Sequence, residues 1–420
     1  PTNTAGVFVY ELLSIRDGSP TQCTNSANGT ATITVNQLPV PTISGTSIVC
    51  LGIPTVYTTE PGMNGYMWTV NGGGTIVDGA GTNSITVMWS TTGPKTVSVN
   101  YSNENNCTAS APALYYINVT SLPVPHITGP STVCANSTDN IYYTEAYQSN
   151  YTWTISAGGT ITSGAGTNSV HVSWHTAGPQ TISVNYTNSN GCTAVSPTVH
   201  NVSVNPLPAA TITPDGPTTF CQGGSVTLTS SVGSSYLWSN GATTPSINVT
   251  TSGSYTVRVT DANGCRATSE VTTVTVNPLP FVTISGPQQI CAGSTSNVYT
   301  TQFGMTSYNW TVSAGGTITA GGTTNDNTVT VTWNAAGSQT ISVNYTNANG
   351  CTAVSPTSNN IIVNSLPVAS ISGTTSVCRN TPGPPITFTG SEGTAPYTFT
   401  YRINEGSSQT ITTTSGNSVT

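Results

Sequence analysis

Charged side chains are scarce in this sequence. Of the 420 residues, 6 are Lys or Arg and 13 are Asp or Glu, which gives a formal net charge of -7 at pH 7. No cluster of basic residues offsets this balance locally. Because non-specific binding to nucleic acid requires basic side chains that neutralise phosphates, we expect no nucleic-acid partner. An anionic membrane surface is excluded on the same ground.

Long apolar runs are also missing. No stretch of 18 apolar residues occurs, so we expect no direct membrane insertion. The first residues, PTNTAGVFVYELL, lack the basic flank of a signal peptide. Any targeting signal is therefore expected outside this sequence.

The residue sets that carry catalysis are absent as well. We find no paired carboxylates, no Ser/His/Asp set, no phosphate-binding glycine loop, no EF-hand and no C-x-x-C pair. His171 and His175 flank Trp174 and share a strand face, but no third metal ligand lies near them in the sequence. We therefore predict no enzyme activity, no cofactor and no metal site.

What the sequence does contain is a strand pattern. Hydrophobic residues make up 35% of the chain, and they alternate with polar ones in stretches such as TISVNYTN and SYTVRVTD. This period of two is typical of half-buried β-strands. Apolar residues at helical spacing are not sustained over three turns anywhere, so we predict an all-β fold with almost no helix.

A Leu-Pro pair recurs along the chain at intervals of 84, 85, 72 and 87 residues. The five pairs begin at Leu38, Leu122, Leu207, Leu279 and Leu366. Each interval is close to the length of one immunoglobulin-like sandwich. The segments after the first, second and fourth pairs are nearly identical, whereas the third lacks the part that holds a second Trp. The sequence predicts tandem immunoglobulin-like β-sandwich domains joined end to end.

The predicted domain boundaries follow these pairs. They are 38–121, 122–206 and 279–365 for complete repeats, 207–278 for a shorter repeat, 1–37 for the closing part of a truncated repeat, and 366–420 for the opening part of another. Together the two partial segments have 92 residues, the length of one domain. We therefore hypothesise that the chain is one five-domain period of a longer array.

Recurring motifs point to a family. The segments ISGTSIVC, ITGPSTVC, ISGPQQIC and ISGTTSVC are each followed by an aromatic strand, and the complete repeats continue with GGTI and an NGC or NNC turn. This pattern resembles the PKD-like and immunoglobulin-like repeats of giant surface proteins of Bacteroidota, which include gliding-motility adhesins exported by type IX secretion. The resemblance covers essentially the whole chain, and it implies an extracellular, cell-surface location.

Two cysteines fall in each of five repeats, counting the two partial segments as one. They are Cys50 and Cys107, Cys134 and Cys192, Cys221 and Cys265, Cys291 and Cys351, and Cys378 with Cys23. In an exported β-protein this regular use predicts disulfides for all ten. Two connections remain open: one within each repeat, and a staggered one in which the first cysteine of one repeat bonds the second cysteine of the next. In a standard sandwich the two cysteines of one repeat lie at opposite ends, too far apart for a disulfide, and the staggered connection avoids this difficulty.

The tryptophans fall into two sets. We predict that the first set, in the strand-C position of each sandwich, packs in the cores. Its members are Trp68, Trp153, Trp238 and Trp310. The second set, Trp89, Trp174 and Trp333, lies near the end of a later strand, and its alternation also predicts burial.

Three functional hypotheses follow. The first is a non-enzymatic, semi-rigid stalk within a long extracellular adhesin or filament, because the linkers between repeats are short and contain proline. The second is a set of carbohydrate-binding repeats that contact surface polysaccharide through Tyr66, Tyr151, Tyr236 and Tyr308. The third is a self-assembling fibre or sheath, in which copies associate end to end or laterally through edge strands that few charges protect.

Overall fold

The structure, a computed structural model, describes residues 3–420, and within that range it consists of β-strands and turns without a helix. The predicted class, all-β with tandem immunoglobulin-like sandwiches, is confirmed. The alternation in the sequence is the cause: in the strand Gly178–Thr187, for example, the alternate residues Ile182, Val184 and Tyr186 are buried. No helix able to cross a membrane occurs in the described part of the chain.

Residues 3–37 form a single long hairpin. Its strands are β1 (Gly6–Glu11), β2 (Ser14–Arg16), β3 (Thr24–Ser26) and β4 (Thr30–Val35). β1 pairs with β4 and β2 with β3, both antiparallel. No residue of this segment is buried.

Residues 38–121 form a two-sheet sandwich. Its strands are β5 (Ile48–Cys50), β6 (Thr55–Thr58), β7 (Asn64–Val70), β8 (Gly74–Asp78), β9 (Ser84–Trp89), β10 (Gly93–Ser102) and β11 (Ala113–Thr120). One sheet has the order β5-β11-β10-β7 and the other β6-β9-β8. All neighbours are antiparallel except the opening strand β5, which pairs in parallel with the closing strand β11.

Residues 122–206 and 279–365 repeat this arrangement. The second repeat contains β12 (Thr132–Cys134), β13 (Ser137–Tyr143), β14 (Ser149–Ile155), β15 (Gly159–Ser163), β16 (Ser169–Trp174), β17 (Gly178–Thr187) and β18 (Thr198–Asn205). Its sheets have the orders β12-β18-β17-β14 and β13-β16-β15.

Residues 207–278 make a shorter version of the sandwich. The strands are β19 (Ile212–Pro214), β20 (Thr219–Cys221), β21 (Val226–Ser230), β22 (Ser235–Trp238), β23 (Ser246–Val249), β24 (Gly253–Tyr255), β25 (Val257–Thr260), β26 (Arg266–Thr268) and β27 (Thr272–Asn277). They form sheets of order β19-β21-β23, β20-β27-β24 and β22-β25-β26.

The fourth repeat and the last segment complete the chain. Residues 279–365 contain β28 (Gln289–Cys291), β29 (Asn297–Thr300), β30 (Thr306–Val312), β31 (Gly316–Gly321), β32 (Thr328–Trp333), β33 (Gly337–Thr346) and β34 (Thr357–Asn364). Residues 366–420 contain β35 (Val368–Ser372), β36 (Thr387–Ser391), β37 (Thr398–Tyr401), β38 (Gln409–Thr412) and β39 (Ser418–Val419). The fourth repeat has the sheets β28-β34-β33-β30 and β29-β32-β31, and the last segment has β35-β36-β39 and β37-β38.

Each complete sandwich encloses one apolar core between its sheets. In residues 122–206 the core includes Trp153, Trp174 and Val184, and the three other complete repeats have equivalent clusters. The cluster in residues 366–420 is smaller, because only Phe388, Tyr397 and Phe399 are buried at its centre.

The chain divides into two compact units. One consists of the described residues up to Pro208 together with Asp261–Cys265, and the other consists of Ala209–Thr260 and Arg266–Thr420. The first unit contains the sandwiches of residues 38–121 and 122–206, and the second contains that of residues 279–365 and most of the shorter one.

Candidate functional site

The first cysteine of each complete repeat ends its opening strand. β5, β12, β20 and β28 terminate at Cys50, Cys134, Cys221 and Cys291. Each of these strands pairs in parallel with the closing strand of its repeat, as in the pairing of Cys50 with Thr120. The opening cysteine therefore lies beside the end of the closing strand, where the chain leaves the repeat.

The second cysteine of each complete repeat lies in a tight turn that follows β10, β17, β25 or β33. In the second repeat, Asn188 Oδ1 accepts hydrogen bonds from the backbone N–H groups of Asn190 (3.0 Å) and Cys192 (2.9 Å). Gly191 has a φ of 78°, a conformation that glycine adopts at little cost. Asn103, Asp261 and Asn347 hold the turns of the other repeats in the same way. The N/D-x-N-N/G-C sequence is thus an Asx turn that presents a thiol.

The two cysteines of one repeat lie at opposite ends of the sandwich. Gly93, at the start of β10, is opposite Val119 and hence close to Cys50, whereas Cys107 comes after Ser102 at the other end of the strand. A strand of this length spans about 33 Å. Since a disulfide requires Cα atoms within about 7 Å, the fold excludes a bond within one repeat.

The disulfides accordingly follow the staggered connection. The bonds are Cys50–Cys192, Cys134–Cys265 and Cys221–Cys351, with Cα–Cα distances of 5.6, 5.5 and 5.6 Å. Each joins the opening strand of one repeat to the Asx turn of the next. The alternative of pairing within each repeat is wrong for these six residues.

Four cysteines that we predicted to be disulfide-bonded are not bonded within residues 3–420. They are Cys23, Cys107, Cys291 and Cys378. The prediction for these four is corrected. Cys50 and Cys351, the other cysteines of the repeats that contain Cys107 and Cys291, are bonded to Cys192 and Cys221 instead.

The Asx turn also contacts the segment between repeats. Thr120 Oγ1 lies 3.2 Å from Cys192 Sγ, so the end of the first closing strand touches the second repeat's turn. Asn347 Nδ2 donates to the carbonyl of Pro278 (3.2 Å), and Asn103 Nδ2 donates to the carbonyl of Gln37 (2.9 Å). The junctions bonded by Cys50–Cys192 and Cys221–Cys351 therefore combine a disulfide with polar contacts to the end of the preceding repeat.

The first set of tryptophans is buried and fully hydrogen-bonded. Trp153 is 6% exposed, and its indole N–H donates to the carbonyl of Thr167 at 2.8 Å. Trp68, Trp238 and Trp310 make the same bond to the turn that follows them in the sequence. Each of these residues thus fixes a loop as well as filling the core.

The second set is completely enclosed. Trp174 and Trp333 donate to the hydroxyls of Tyr142 and Tyr299, both at 3.1 Å. The equivalent Trp89 is equally buried, but its indole nitrogen has no hydrogen-bond partner. All three rings are inaccessible to a ligand.

The tyrosines considered for sugar binding are engaged inside the protein. Tyr66 donates to the carbonyl of Glu60 (2.7 Å) and accepts from the N–H of Met63 (2.9 Å), and its ring packs on Tyr101. Tyr151, Tyr236 and Tyr308 close comparable loops through their hydroxyl groups. These rings are buried or half-buried, so they form no exposed platform.

Sequence reasoning missed a carboxylate cluster in the first repeat. Glu60 Oε2 accepts from Tyr101 OH (2.7 Å), Thr59 Oγ1 (2.7 Å) and the N–H of Thr42 (3.1 Å). Burial of the Glu60 carboxylate would raise its pKa, but the hydrogen bonds from Thr42, Tyr101 and Thr59 outweigh this effect and lower the pKa to about 2.

The same position recurs in the other long repeats. Glu145 occupies it in the second repeat, where Thr144 donates to its carboxylate, and the neutral Gln302 occupies it in the fourth, where Tyr345 donates to its side chain. The signal in the sequence was a hydrogen-bond acceptor, Glu or Gln, at the third position of the segments TTEPGM, YTEAYQ and TTQFGM.

The histidine pair acquires one partner that the sequence did not indicate. His171 Nδ1 lies 2.5 Å from Asp139 Oδ1. No group of three or more potential metal ligands forms around it or elsewhere in residues 3–420.

The sequence matches the family model described as a PKD-like domain at residues 36–117, 120–201 and 277–359. These matches cover more than half of the chain. The chain belongs to the PKD-like domain family. Its three matched PKD-like repeats are the three long sandwiches, and the comparison with curated proteins finds no match.

Solved structures of tandem sandwiches are similar only loosely. The eight N-terminal immunoglobulin domains of Down Syndrome Cell Adhesion Molecule align at 13% identity and a TM-score of 0.26, over 87% of this chain and 59% of that one. Invasin, a bacterial integrin-binding protein, aligns at 13% identity and a TM-score of 0.24, over 80% of this chain and 81% of that one. The D1–D4 ectodomain fragment of ICAM-5 aligns at 9% identity and a TM-score of 0.32, over 77% of this chain and 100% of that one. The family assignment rests on the sequence match.

Proposed function

We propose that this chain is a non-enzymatic structural segment of a long extracellular adhesin or filament, in which disulfides staple neighbouring PKD-like repeats into a stalk. The observation that carries the proposal is the stagger of the three disulfides. A disulfide within a repeat would stabilise that repeat alone. A disulfide between repeats restricts how one repeat moves or separates from the next.

The staples also shorten the covalent path along the chain. The intervals Cys50–Cys192, Cys134–Cys265 and Cys221–Cys351 overlap, so every backbone bond between residues 50 and 351 is bypassed. From Cys50 the path crosses to Cys192, follows the backbone to Cys221 and crosses to Cys351. This path contains about 30 backbone residues and extends to about 100 Å. Without disulfides, the backbone from Cys50 to Cys351 would extend to about 1000 Å. This geometry suits a segment that carries tension.

The proposed location is the cell exterior. Structural disulfides persist in oxidising compartments, and a surface with few charges and many hydroxyl groups suits an exposed stalk. The resemblance to surface repeats of Bacteroidota supports export by the type IX route. Carbohydrate binding is the weaker candidate, because its tyrosines are committed to internal hydrogen bonds.

Force spectroscopy on the chain, held at its two ends, tests the proposal. We expect the oxidised chain to reach a fully unfolded length about 900 Å shorter than the reduced chain. The double variant Cys50→Ser/Cys192→Ser should lengthen the oxidised path by about 100 residues, or about 350 Å.

The matched control is Cys134→Ser/Cys265→Ser. It also removes one disulfide, but the shortest path does not use that bond, so the final length should not change. Equal lengths for the oxidised and reduced chains would refute the stapled stalk.

A further inference from the structure

The first long repeat carries two rows of side chains on the outer face of its four-stranded sheet. The middle member of each row lies on the inner strand β10, between β7 and β11. Val97, which lies between the rows on β10, points into the core and is 0% exposed. The rows are Thr69–Ser98–Leu114 and Asn71–Thr96–Tyr116.

The two rows line a shallow groove of about 310 Å³. Thr96 and Ser98 form its floor, and Leu114 and Tyr116 stand along one side. Because neighbouring strands are about 4.8 Å apart, the two outer strands of the grid are about 10 Å apart. The groove therefore lies at the lower end of the volumes that bind small ligands, about 300 to 1000 Å³.

The ring and hydroxyl of Tyr116 are free. Tyr116 is 71% exposed, and Leu114 beside it is 55% exposed. The Tyr116 hydroxyl has no hydrogen-bond partner within residues 3–420, whereas the hydroxyl of the neighbouring Tyr115 donates to the carbonyl of Gly45 at 2.6 Å. Tyr116 thus differs from the internal tyrosines described above.

The hydroxyl groups along the groove are also free. In the second and fourth repeats the equivalent Thr and Ser side chains bond each other across the sheet, as the pairs Thr154–Ser183 and Thr311–Ser342. Thr69 and Ser98 are the same residue types in the same register. In the described part of the chain, however, neither of their hydroxyls has a hydrogen-bond partner.

The other complete repeats have no aromatic residue at the position of Tyr116. The register places Asn201 there in the second repeat, Thr273 in the third and Asn360 in the fourth. Three sandwiches therefore form without this ring. Since the fold does not require Tyr116, its exposed ring is available to a ligand.

The lining determines the class of ligand. No charged side chain lines the groove, so a charged ligand would meet no opposite charge there. Hydroxyl and amide groups donate and accept hydrogen bonds, and an aromatic ring packs against C–H groups. A pyranose ring presents hydroxyls at its rim and C–H groups on its faces. A neutral saccharide therefore matches the groove.

We propose that the groove beside Tyr116 binds a segment of a neutral polysaccharide. One sugar ring stacks on Tyr116, and its hydroxyls exchange hydrogen bonds with Thr69, Ser98 and Asn71. The inference goes beyond the proposed stalk, because a stalk can act as a spacer without any ligand. It makes the first long repeat an adhesive unit.

Affinity electrophoresis of the oxidised chain tests this site. Native gels contain hydroxyethylcellulose, laminarin, xylan or galactomannan, and a further gel contains the acidic polymer polygalacturonate. We expect at least one neutral polymer to retard the chain and polygalacturonate to have no effect. Tyr116→Asn, which introduces the residue type of the second and fourth repeats, should weaken the apparent affinity about tenfold. Tyr116→Phe should weaken it less, because the ring remains.

Matched variants separate the groove from general effects of substitution. Tyr147→Asn removes a tyrosine that is 98% exposed in the second repeat, and its φ of 61° suits Asn. This control should be retarded like the parent chain. The double variant Thr69→Val/Ser98→Ala should bind several-fold more weakly. The same change in the second repeat, Thr154→Val/Ser183→Ala, should leave the retardation unchanged.

Three outcomes would overturn the proposal. They are unchanged migration of the parent chain in all four neutral gels, retardation that Tyr116→Asn does not weaken, and strongest retardation by polygalacturonate. The length difference measured under force depends on the disulfides and should be the same in Tyr116→Asn. The groove and the stapled stalk can therefore fail independently.

Discussion

Cys50 is bonded to Cys192, a residue 142 positions later in the following repeat. Thr120, which pairs with Cys50 in the sheet, also contacts the Cys192 sulfur through its hydroxyl. The end of one sandwich and the Asx turn of the next therefore form one site. Because an opening strand and an Asx turn meet in the same way at three successive junctions, the three disulfides overlap along residues 50–351.

A single cut in the backbone should leave the oxidised chain in one piece. We expect a protease site inserted between Ala80 and Gly81, in an exposed turn, to be cleaved without separating the fragments on a non-reducing gel, because Cys50–Cys192 spans the cut. In the variant Cys50→Ser/Cys192→Ser the same cut should release two fragments.

The matched control moves the cut to the next repeat. A site between Ala165 and Gly166 is spanned by two disulfides, so the fragments should remain linked even in Cys50→Ser/Cys192→Ser. Release of fragments at this second site would show that Cys134–Cys265 does not form.

The Asx turns should protect the disulfides kinetically. Asn188→Ala removes the acceptor for two backbone N–H groups, and we expect a loss of about 1 kcal/mol in the local stability of the turn. Dithiothreitol should then reduce Cys50–Cys192 several-fold faster, while Cys134–Cys265 in the same molecule serves as the internal standard. Asn188→Asp should behave like the parent, because Asp261 caps the third repeat's turn. Equal reduction rates in Asn188→Ala and the parent would contradict this role.

The indole hydrogen bonds allow a matched comparison between repeats. Trp174→Phe removes the bond to Tyr142, whereas Trp89→Phe removes an indole whose nitrogen is unpaired. Both changes lose similar apolar burial, so we expect Trp174→Phe to destabilise its repeat by about 1 kcal/mol more than Trp89→Phe. Native-state hydrogen exchange of β16 and β9 measures the two local stabilities. A larger loss in Trp89→Phe would contradict the importance of the hydrogen bond.

The fold class was predictable because its signals are local. Alternation in stretches such as TISVNYTN defines strands, and the Leu-Pro spacing defines the repeat length, so neither requires knowledge of contacts distant in sequence. The disulfide connection could not be chosen in the same way. It depends on the parallel pairing of β5 with β11, which decides the end of the sandwich at which Cys50 lies. Spacing alone does not reveal that pairing.

The carboxylate cluster was missed for a related reason. Glu60 and Tyr101 are 41 residues apart in the sequence, and their contact arises only after both sheets have packed. The repeats do share an acceptor at this position, since Glu145 and Gln302 are the counterparts of Glu60. The replacement of an acid by a neutral amide indicates that hydrogen-bond acceptance, rather than charge, is the shared property.

The Glu60 carboxylate predicts how the stability of the first repeat responds to acid. Because the pKa of Glu60 is lowered in the folded state to about 2, its stabilising effect is fully present above the ordinary carboxyl pKa of 4.5. The effect should be lost progressively as the pH falls from 4.5 towards 2. We expect Glu60→Gln to remove this part of the acid sensitivity from hydrogen exchange in β6 and β10. Gln302→Glu is the reciprocal test: since Tyr345 donates to Gln302, a carboxylate there should make the fourth repeat more sensitive to acid over the same range. An unchanged pH profile in both variants would contradict the assignment of acid sensitivity to this position.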